Sequence, residues 1–176
     1  IAGHWAEPFI QEAYAKGIIA GYPDGTFRPD HAVTRAEFTL MLVRALRLEG
    51  EAGGDAPAFA DGEQIGEWAK QAIDLAARAG IVSGYEDGTF RPGRPVTRVE
   101  MAVMIARATG AELTDHTHTR FADDARIPAW AKSYVEEVRI MGIIHGRDRN
   151  LFAPNETLTR AEAVTSILRL LELLSQ

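Results

Sequence analysis

At 176 residues, 46% of them hydrophobic and 25% charged, the chain has ordinary globular composition and enough apolar side chains for a real core. A net charge of −6 argues against an extended phosphate-binding surface, so no nucleic-acid partner is expected. With no cysteine, disulfides, zinc-thiolate sites and a cysteine nucleophile are excluded, and no apolar run reaches the ~20 residues of a membrane helix, so no membrane insertion is expected.

The chain opens Ile1-Ala2-Gly3-His4-Trp5, with neither Met nor a signal peptide, and reads as a piece of a longer protein. Trp5, Phe9, Ile10, Ala13 and Tyr14 then recur at helical spacing, with Pro8 in the first turn and Gly17 as a left-handed stop. "GYPDGTFRPD" follows, whose Asp24-Gly25 is turn chemistry. A second helix begins at Thr34-Arg35-Ala36-Glu37, the capping-box pattern S/T-x-x-E, with Val33 and Phe38 as a hydrophobic staple. Its broad apolar stripe (Phe38, Leu40, Met41, Leu42, Val43, Leu46) suits a central bundle. One residue looks misplaced: Arg35 puts a fixed cation in the first turn, where the helix dipole is already positive.

The same unit occurs three times. Trp5, Trp68 and Trp130 are 63 and 62 residues apart, and Gly21, Gly84 and Gly146 keep that register. So do Phe27, Phe90 and Phe152, and Thr34, Thr97 and Thr159. First helices are expected at about Trp68–Ala79 and Trp130–Met141, and second helices at Thr97-Arg98-Val99-Glu100 and Thr159-Arg160-Ala161-Glu162. Asn150 stands where the other copies have Gly25 and Gly88, and the turn geometry is expected to survive. Glu49–Ala58 and Gly110–Thr119 read as linkers. Phe59-Ala60-Asp61 and Phe121-Ala122-Asp123 follow them, a segment that would precede Ile1 in the first copy. The copies are bounded at 1–50, 51–113 and 114–176. A single helical hairpin cannot bury both faces, so the three are expected to pack into one mainly all-α domain of approximate threefold symmetry.

The Trp near the start, Gly-Ile-Ile-x-Gly-Tyr, Asp-Gly-Thr-Phe-Arg-Pro and above all Thr-Arg-Ala-Glu resemble the S-layer homology (SLH) family over essentially the whole chain. The resemblance implies a three-pronged pseudo-trimer with a central three-helix bundle and grooves between prongs. It also implies a non-catalytic anchor that ties surface-layer proteins or exoenzymes to the bacterial envelope, outside the cell. The implied partner is a secondary cell-wall polymer carrying a pyruvate ketal on N-acetylmannosamine, whose carboxylate meets the arginine of each Thr-Arg-x-Glu box.

The chemistry of the residues agrees with that. A helix N-terminus offers unpaired N–H groups to an anion, and a guanidinium fork matches a carboxylate. The candidate ligand-binding set is therefore Arg35, Arg98 and Arg160, with Gly21, Tyr22, Asp24, Gly25, Gly84, Tyr85, Asp87, Gly88, Trp68 and Trp130 as groove residues; aromatic rings would pack on a sugar face. Glu37, Glu100 and Glu162 read as capping partners rather than ligand contacts. The Trp residues suit a core position as well as a groove wall, and Phe27, Phe90 and Phe152 read as core plugs. In the third copy Arg147 replaces Tyr, Arg149 replaces Asp and Ala153 replaces Arg, so its groove is expected to bind weakly or not at all.

An enzyme is the first rival reading, but no Ser-His-Asp order, converging carboxylates or shared histidine recurs, and no cofactor is expected. His116-x-His118 lies in a polar linker without partners for a metal. A purely structural oligomerisation module and direct binding to peptidoglycan complete the alternatives; the isolated module is expected to be monomeric.

Overall fold

The computed structural model describes residues 1–50 and 58–176, so most of the linker expected at Glu49–Ala58 lies outside the described residues. Among the described residues six α-helices follow one another: α1 (Glu7–Ala15), α2 (Arg35–Leu46), α3 (Glu67–Arg78), α4 (Arg98–Ala108), α5 (Lys132–Ile140) and α6 (Arg160–Leu174). Among the described residues, extended pairing is limited to isolated bridges, and no helix is long and apolar enough to cross a membrane.

Local chemistry sets the helix ends. The first helix of each copy stops at a glycine with positive φ (Gly17, Gly80, Gly142). The next N–H reaches back five residues, Ile18 to the Ala13 carbonyl, Ile81 to Ala76 and Ile143 to Val138, the Schellman closure that satisfies late carbonyls. That turn buries Ile18, Ile81 and Ile143. At the other end, all three Thr-Arg-x-Glu boxes form complete capping boxes.

Two kinds of helix result. α2, α4 and α6 are buried nearly all round; in α4 the residues Met101 to Ala106 are all buried. Such helices belong at the centre of a fold. The first helices bury one face only, Ile10 and Ala13 in α1, Ala72, Ile73 and Ala76 in α3, Val135 and Val138 in α5. Their tryptophans do not join that face. Trp5, Trp68 and Trp130 are 58%, 58% and 62% exposed, which removes the core position. The helical spacing misleads because each lies at the very start of its helix, Trp5 and Trp130 two residues ahead of α1 and α5 and Trp68 second in α3, where the buried stripe has not begun.

Pairing of the helices departs from a simple hairpin. Each first helix packs on the second helix of the preceding copy: α3 on α2, α5 on α4, and α1 on α6. Residues 16–34 carry the chain from α1 to α2. The circle closes at the centre as well. The Val33 N–H donates to the Leu158 carbonyl, Leu158 to Val96, and Val96 to Val33, each at 3.0 Å, a three-membered backbone ring. The central helices start from this ring, and α2 packs directly on α6. Phe27, Phe90 and Phe152 plug the core as expected, at 8%, 0% and 0% exposure.

Candidate functional site

The Thr-Arg-x-Glu boxes lie where three copies meet. In α2, Glu37 N–H donates to Thr34 Oγ1 and Thr34 N–H to Glu37 Oε1. The two amides before Glu37 are also taken: Arg35 N–H by the Arg94 carbonyl at 2.9 Å, Ala36 N–H by the Pro92 carbonyl at 3.1 Å. α4 is closed by Glu156 and Pro154, and α6 by His31 and Pro29, in the same manner. The expectation that these helix starts present free N–H groups to an anion is therefore corrected. A neighbouring copy's turn fills all three, because backbone donors leaving the solvent need acceptors and the facing proline turns supply them.

The arginines are not solvated surface charges either; Arg35, Arg98 and Arg160 are only 6%, 4% and 5% exposed. Each reaches into the next copy round the ring. Arg35 Nε donates to the Phe90 carbonyl at 2.9 Å and Nη1 to Glu100 Oε2 at 2.5 Å. Arg160 bonds the Phe27 carbonyl and Glu37, and Arg98 the Phe152 carbonyl with Glu162. A glutamate thus caps its own helix with one oxygen and holds the preceding copy's arginine with the other. This offsets the cost of a cation at the positive helix end.

That geometry settles which residues share a groove. One groove, of about 830 Å³, is lined by Gly21 and Tyr22 from the first copy, Glu37 and Arg44 on α2, Trp68 from the second copy and Arg160 from the third. The Arg160 guanidinium lies 4.6 Å from the Tyr22 ring centre. Its equivalent joins Tyr85, Glu100 and Arg35: the guanidinium sits 4.7 Å from the Tyr85 ring, and Tyr85 Oη donates to Glu100 Oε2 at 2.6 Å. Burial, then that bond, raise the Tyr85 pKa. Burial pushes the Glu100 carboxyl up, but Tyr85, the Arg35 charge and Thr97 outweigh it and hold it below the usual value.

The third groove differs. About 360 Å³, it is lined by Arg147, Glu162 and Arg169 from the third copy, Arg98 from the second and Trp5 from the first. Arg147 pairs with Glu156 and places Nη2 3.2 Å from Glu162 Oε2, leaving Arg98 Nη1 at 3.6 Å. Arg98 Nη2 donates to the His145 carbonyl at 3.0 Å, so all three guanidinium nitrogens are engaged. Burial, then the charge of Arg147, bring the Arg98 pKa down to about 10, still protonated at neutral pH. Arg35 and Arg160 each keep one terminal nitrogen without a partner among the described residues.

A profile of the S-layer homology domain matches residues 1–39, 58–102 and 120–164. The chain belongs to the S-layer homology family. Similar proteins include an exoglucanase of Acetivibrio thermocellus, 38% identical over 98% of this chain and 16% of that protein. An amylopullulanase of Thermoanaerobacterium thermosulfurigenes is 37% identical over 98% of this chain and 9% of its own length. A cellulosome-anchoring protein of Acetivibrio thermocellus is 31% identical over 88% of this chain and 35% of its own. The chain spans only a small part of each, and SLH repeats are a separate module within the two enzymes.

The remaining candidates divide. Tyr22, Gly21 and Trp68 line the first SLH groove, whereas Asp24 and Gly25 do not. Asp24 is spent inside its turn, accepting from Thr26 N–H, Thr26 Oγ1 and Arg28; these bonds, Thr26 first, hold its pKa well below the usual range. Asp87 repeats this with Thr89 and Arg91, its pKa lowered to about 2. Gly84 has φ +74°, and its close neighbour is the Phe59 ring, 2.7 Å from where a Cβ would stand. Trp130 is as exposed as Trp68. In the third turn Asn150 keeps the left-handed φ expected at the glycine position, but Arg149 is left-handed as well and Gly146 is not. A second left-handed residue has been added one position earlier, while Arg147 N–H still closes the turn on the Leu151 carbonyl at 2.7 Å, as Tyr22 does on Thr26 and Tyr85 on Thr89.

Sequence reasoning passed over Arg44, Arg107 and Arg169, which recur at the same spacing as the tryptophans, 63 and 62. Arg44 is exposed in the first groove and makes no ion pair among the described residues. Their register was the available signal.

Proposed function

We propose that the chain is a non-catalytic cell-wall anchor that binds pyruvylated N-acetylmannosamine of a secondary cell-wall polymer, attaching a surface-layer protein or exoenzyme to the outside of a bacterial envelope. The observation that carries this reading is the composite groove in which exposed Trp68, half-buried Tyr22 and an Arg44 unpaired among the described residues surround the Arg160 nitrogen that has no partner among them. An aromatic wall suits the apolar face of a sugar, and two guanidinium groups suit a carboxylate beside it. Its volume of about 830 Å³ fits an oligosaccharide segment. Cellulosome-anchoring and S-layer relatives support an anchoring role at the cell surface.

The reading assigns binding to the grooves of Arg160 with Tyr22 and of Arg35 with Tyr85. The groove of Arg98 with Arg147 binds weakly, since its cations already hold glutamates and a carbonyl. Calorimetry against wall polymer with and without pyruvyl groups tests this. Arg44→Ala and Trp68→Ala, both at exposed positions in the Arg160–Tyr22 groove, each weaken that one site for the pyruvylated polymer about tenfold, or ~1.4 kcal/mol, and leave the Arg35–Tyr85 site unchanged. Unchanged affinity in both variants, or equal binding of the polymer without pyruvate, refutes the carboxylate mechanism and favours direct peptidoglycan binding.

A further inference from the structure

Each central helix carries a second arginine two turns beyond its box glutamate. Arg44 follows Glu37 on α2, Arg107 follows Glu100 on α4 and Arg169 follows Glu162 on α6, each by seven residues. That step returns to the same helix face, about 10 Å further along the axis. On α2 the face is the floor of the groove, for Glu37, Leu40, Met41 and Arg44 all line it. The three arginines are not equally free. Arg44 is exposed, and among the described residues its side chain has no hydrogen bond, ion pair or ring contact. Arg107 is half-buried, with its guanidinium 5.5 Å from the Tyr134 ring centre and Nη1 3.5 Å from Ser83 Oγ. Arg169 is half-buried too, and its Nη1 donates to the Ile143 carbonyl at 3.3 Å.

Two differences between the copies account for the contrast between Arg44 and Arg107. α5 packs on α4 as α3 packs on α2, and Tyr134 on α5 stands where α3 has Ala72, which has no ring to lay against a guanidinium. Ser83 stands where the first copy has Ala20, which lines the groove of Arg160 and offers no side-chain acceptor. A guanidinium stacked on a ring keeps its charge, but one face is covered and the direction of its fork is fixed. A ligand must draw it away from the ring before both its oxygens can be met.

We infer that Tyr134 and Ser83 withhold Arg107 from the groove of Arg35 and Tyr85, leaving that groove one cation for an acidic sugar where the groove of Arg160 and Tyr22 offers two. Tyr134 is a positioning residue, acting on the ligand through Arg107. The two grooves therefore bind the same end group with unequal strength, and the side chain four residues after the groove tryptophan, Ala72 or Tyr134, sets the difference. The ligand rests on the function proposed above; the state of Arg107 rests on this chain alone.

The test follows each groove by its own tryptophan. With fluorotryptophan incorporated, Trp68 reports the groove of Arg160 and its counterpart Trp130 that of Arg35, while pyruvylated wall polymer is titrated by fluorine NMR. The Trp68 signal half-saturates at about fivefold lower polymer than the Trp130 signal. Tyr134→Leu with Ser83→Ala closes that gap and leaves the Trp68 titration unchanged, whereas Tyr134→Phe, which keeps the ring, preserves it. Equal half-saturation in the unaltered chain, or the same response to Leu and to Phe, overturns the inference. Labelling of arginines by phenylglyoxal, read by peptide mass, needs no ligand: Arg107 reacts about fivefold more slowly than Arg44, and the leucine variant removes the lag. Equal rates in the unaltered chain overturn the inference as well. If polymer without pyruvyl groups moves both tryptophan signals as strongly, the carboxylate reading of the grooves fails, and the labelling rates alone decide whether Arg107 is withheld.

Discussion

The ring of arginine–glutamate pairs can be weighed by a double-mutant cycle, because its three members differ in geometry. Arg35→Met keeps the aliphatic stem against Tyr85 and Phe90 while removing the charge, and Glu100→Gln keeps the cap while removing the other. The Arg35 and Glu100 side chains are 7% and 16% exposed, with a 2.5 Å contact. Two charges about 4 Å apart attract by ~4 kcal/mol at an effective dielectric of ~20. Much of that is spent on desolvation, and a charged hydrogen bond nets ~1.5–3 kcal/mol. The expected coupling is therefore about 2 kcal/mol. For Arg98 and Glu162, 3.6 Å apart and with Arg147 as a second cation on the same carboxylate, it is below ~1 kcal/mol. Arg35→Met alone costs more than the coupling, ~3–4 kcal/mol, since the Phe90 carbonyl loses its donor too. Urea denaturation of the four proteins in each cycle measures all of this at constant slope. Equal couplings, or a larger one for Arg98–Glu162, refute the claim that the third copy has loosened its pair.

Acid should weaken the ring. Glu100 titrates below its ordinary value in the fold, so the stability it contributes is complete above its unfolded pKa of ~4.5 and is lost as pH falls through the lowered folded value. Urea midpoints measured from pH 6 to 3 decline accordingly, and Glu100→Gln flattens the decline; an unchanged slope in that variant places the sensitivity elsewhere. Gly84→Ala and Gly17→Ala share a left-handed φ of about +75°, but an added Cβ meets the Phe59 ring and Thr89 carbonyl at Gly84 and nothing within 4 Å at Gly17. Gly17→Ala costs ~1 kcal/mol and Gly84→Ala ~2–3 kcal/mol by denaturant titration. Equal costs remove the argument from close approach.

Features set by near neighbours were legible in the sequence. The capping boxes and glycine stops involve residues three to five apart, and their local chemistry suffices. The arginine partners were not. Arg35 to Glu100 spans 65 positions and Arg160 to Glu37 spans 123, and only the cyclic packing reveals that each box looks to the next copy. By position along the chain alone, Arg98 lies in the same copy as Tyr85, and Arg160 in the same copy as Arg147. The fold reverses that, giving Arg160 to Tyr22 and Arg98 to Arg147. The helix starts misled for the same reason: amides that look free within one copy are covered by the turn of another.

The closure of α1 on α6, and of Val33 on Leu158, makes copy number a structural constant. A stack of repeats open at both ends can lengthen or shorten and remain a protein, since every interior unit meets the same neighbours. Here there is no end at which to add. A chain of two copies would leave one helix start uncovered, with an arginine and a glutamate buried apart. A fourth copy would have no place in a three-membered backbone ring. Duplication or loss of a unit is therefore penalised at once, while side chains inside a unit stay free to drift, as Arg147 and Asn150 have done.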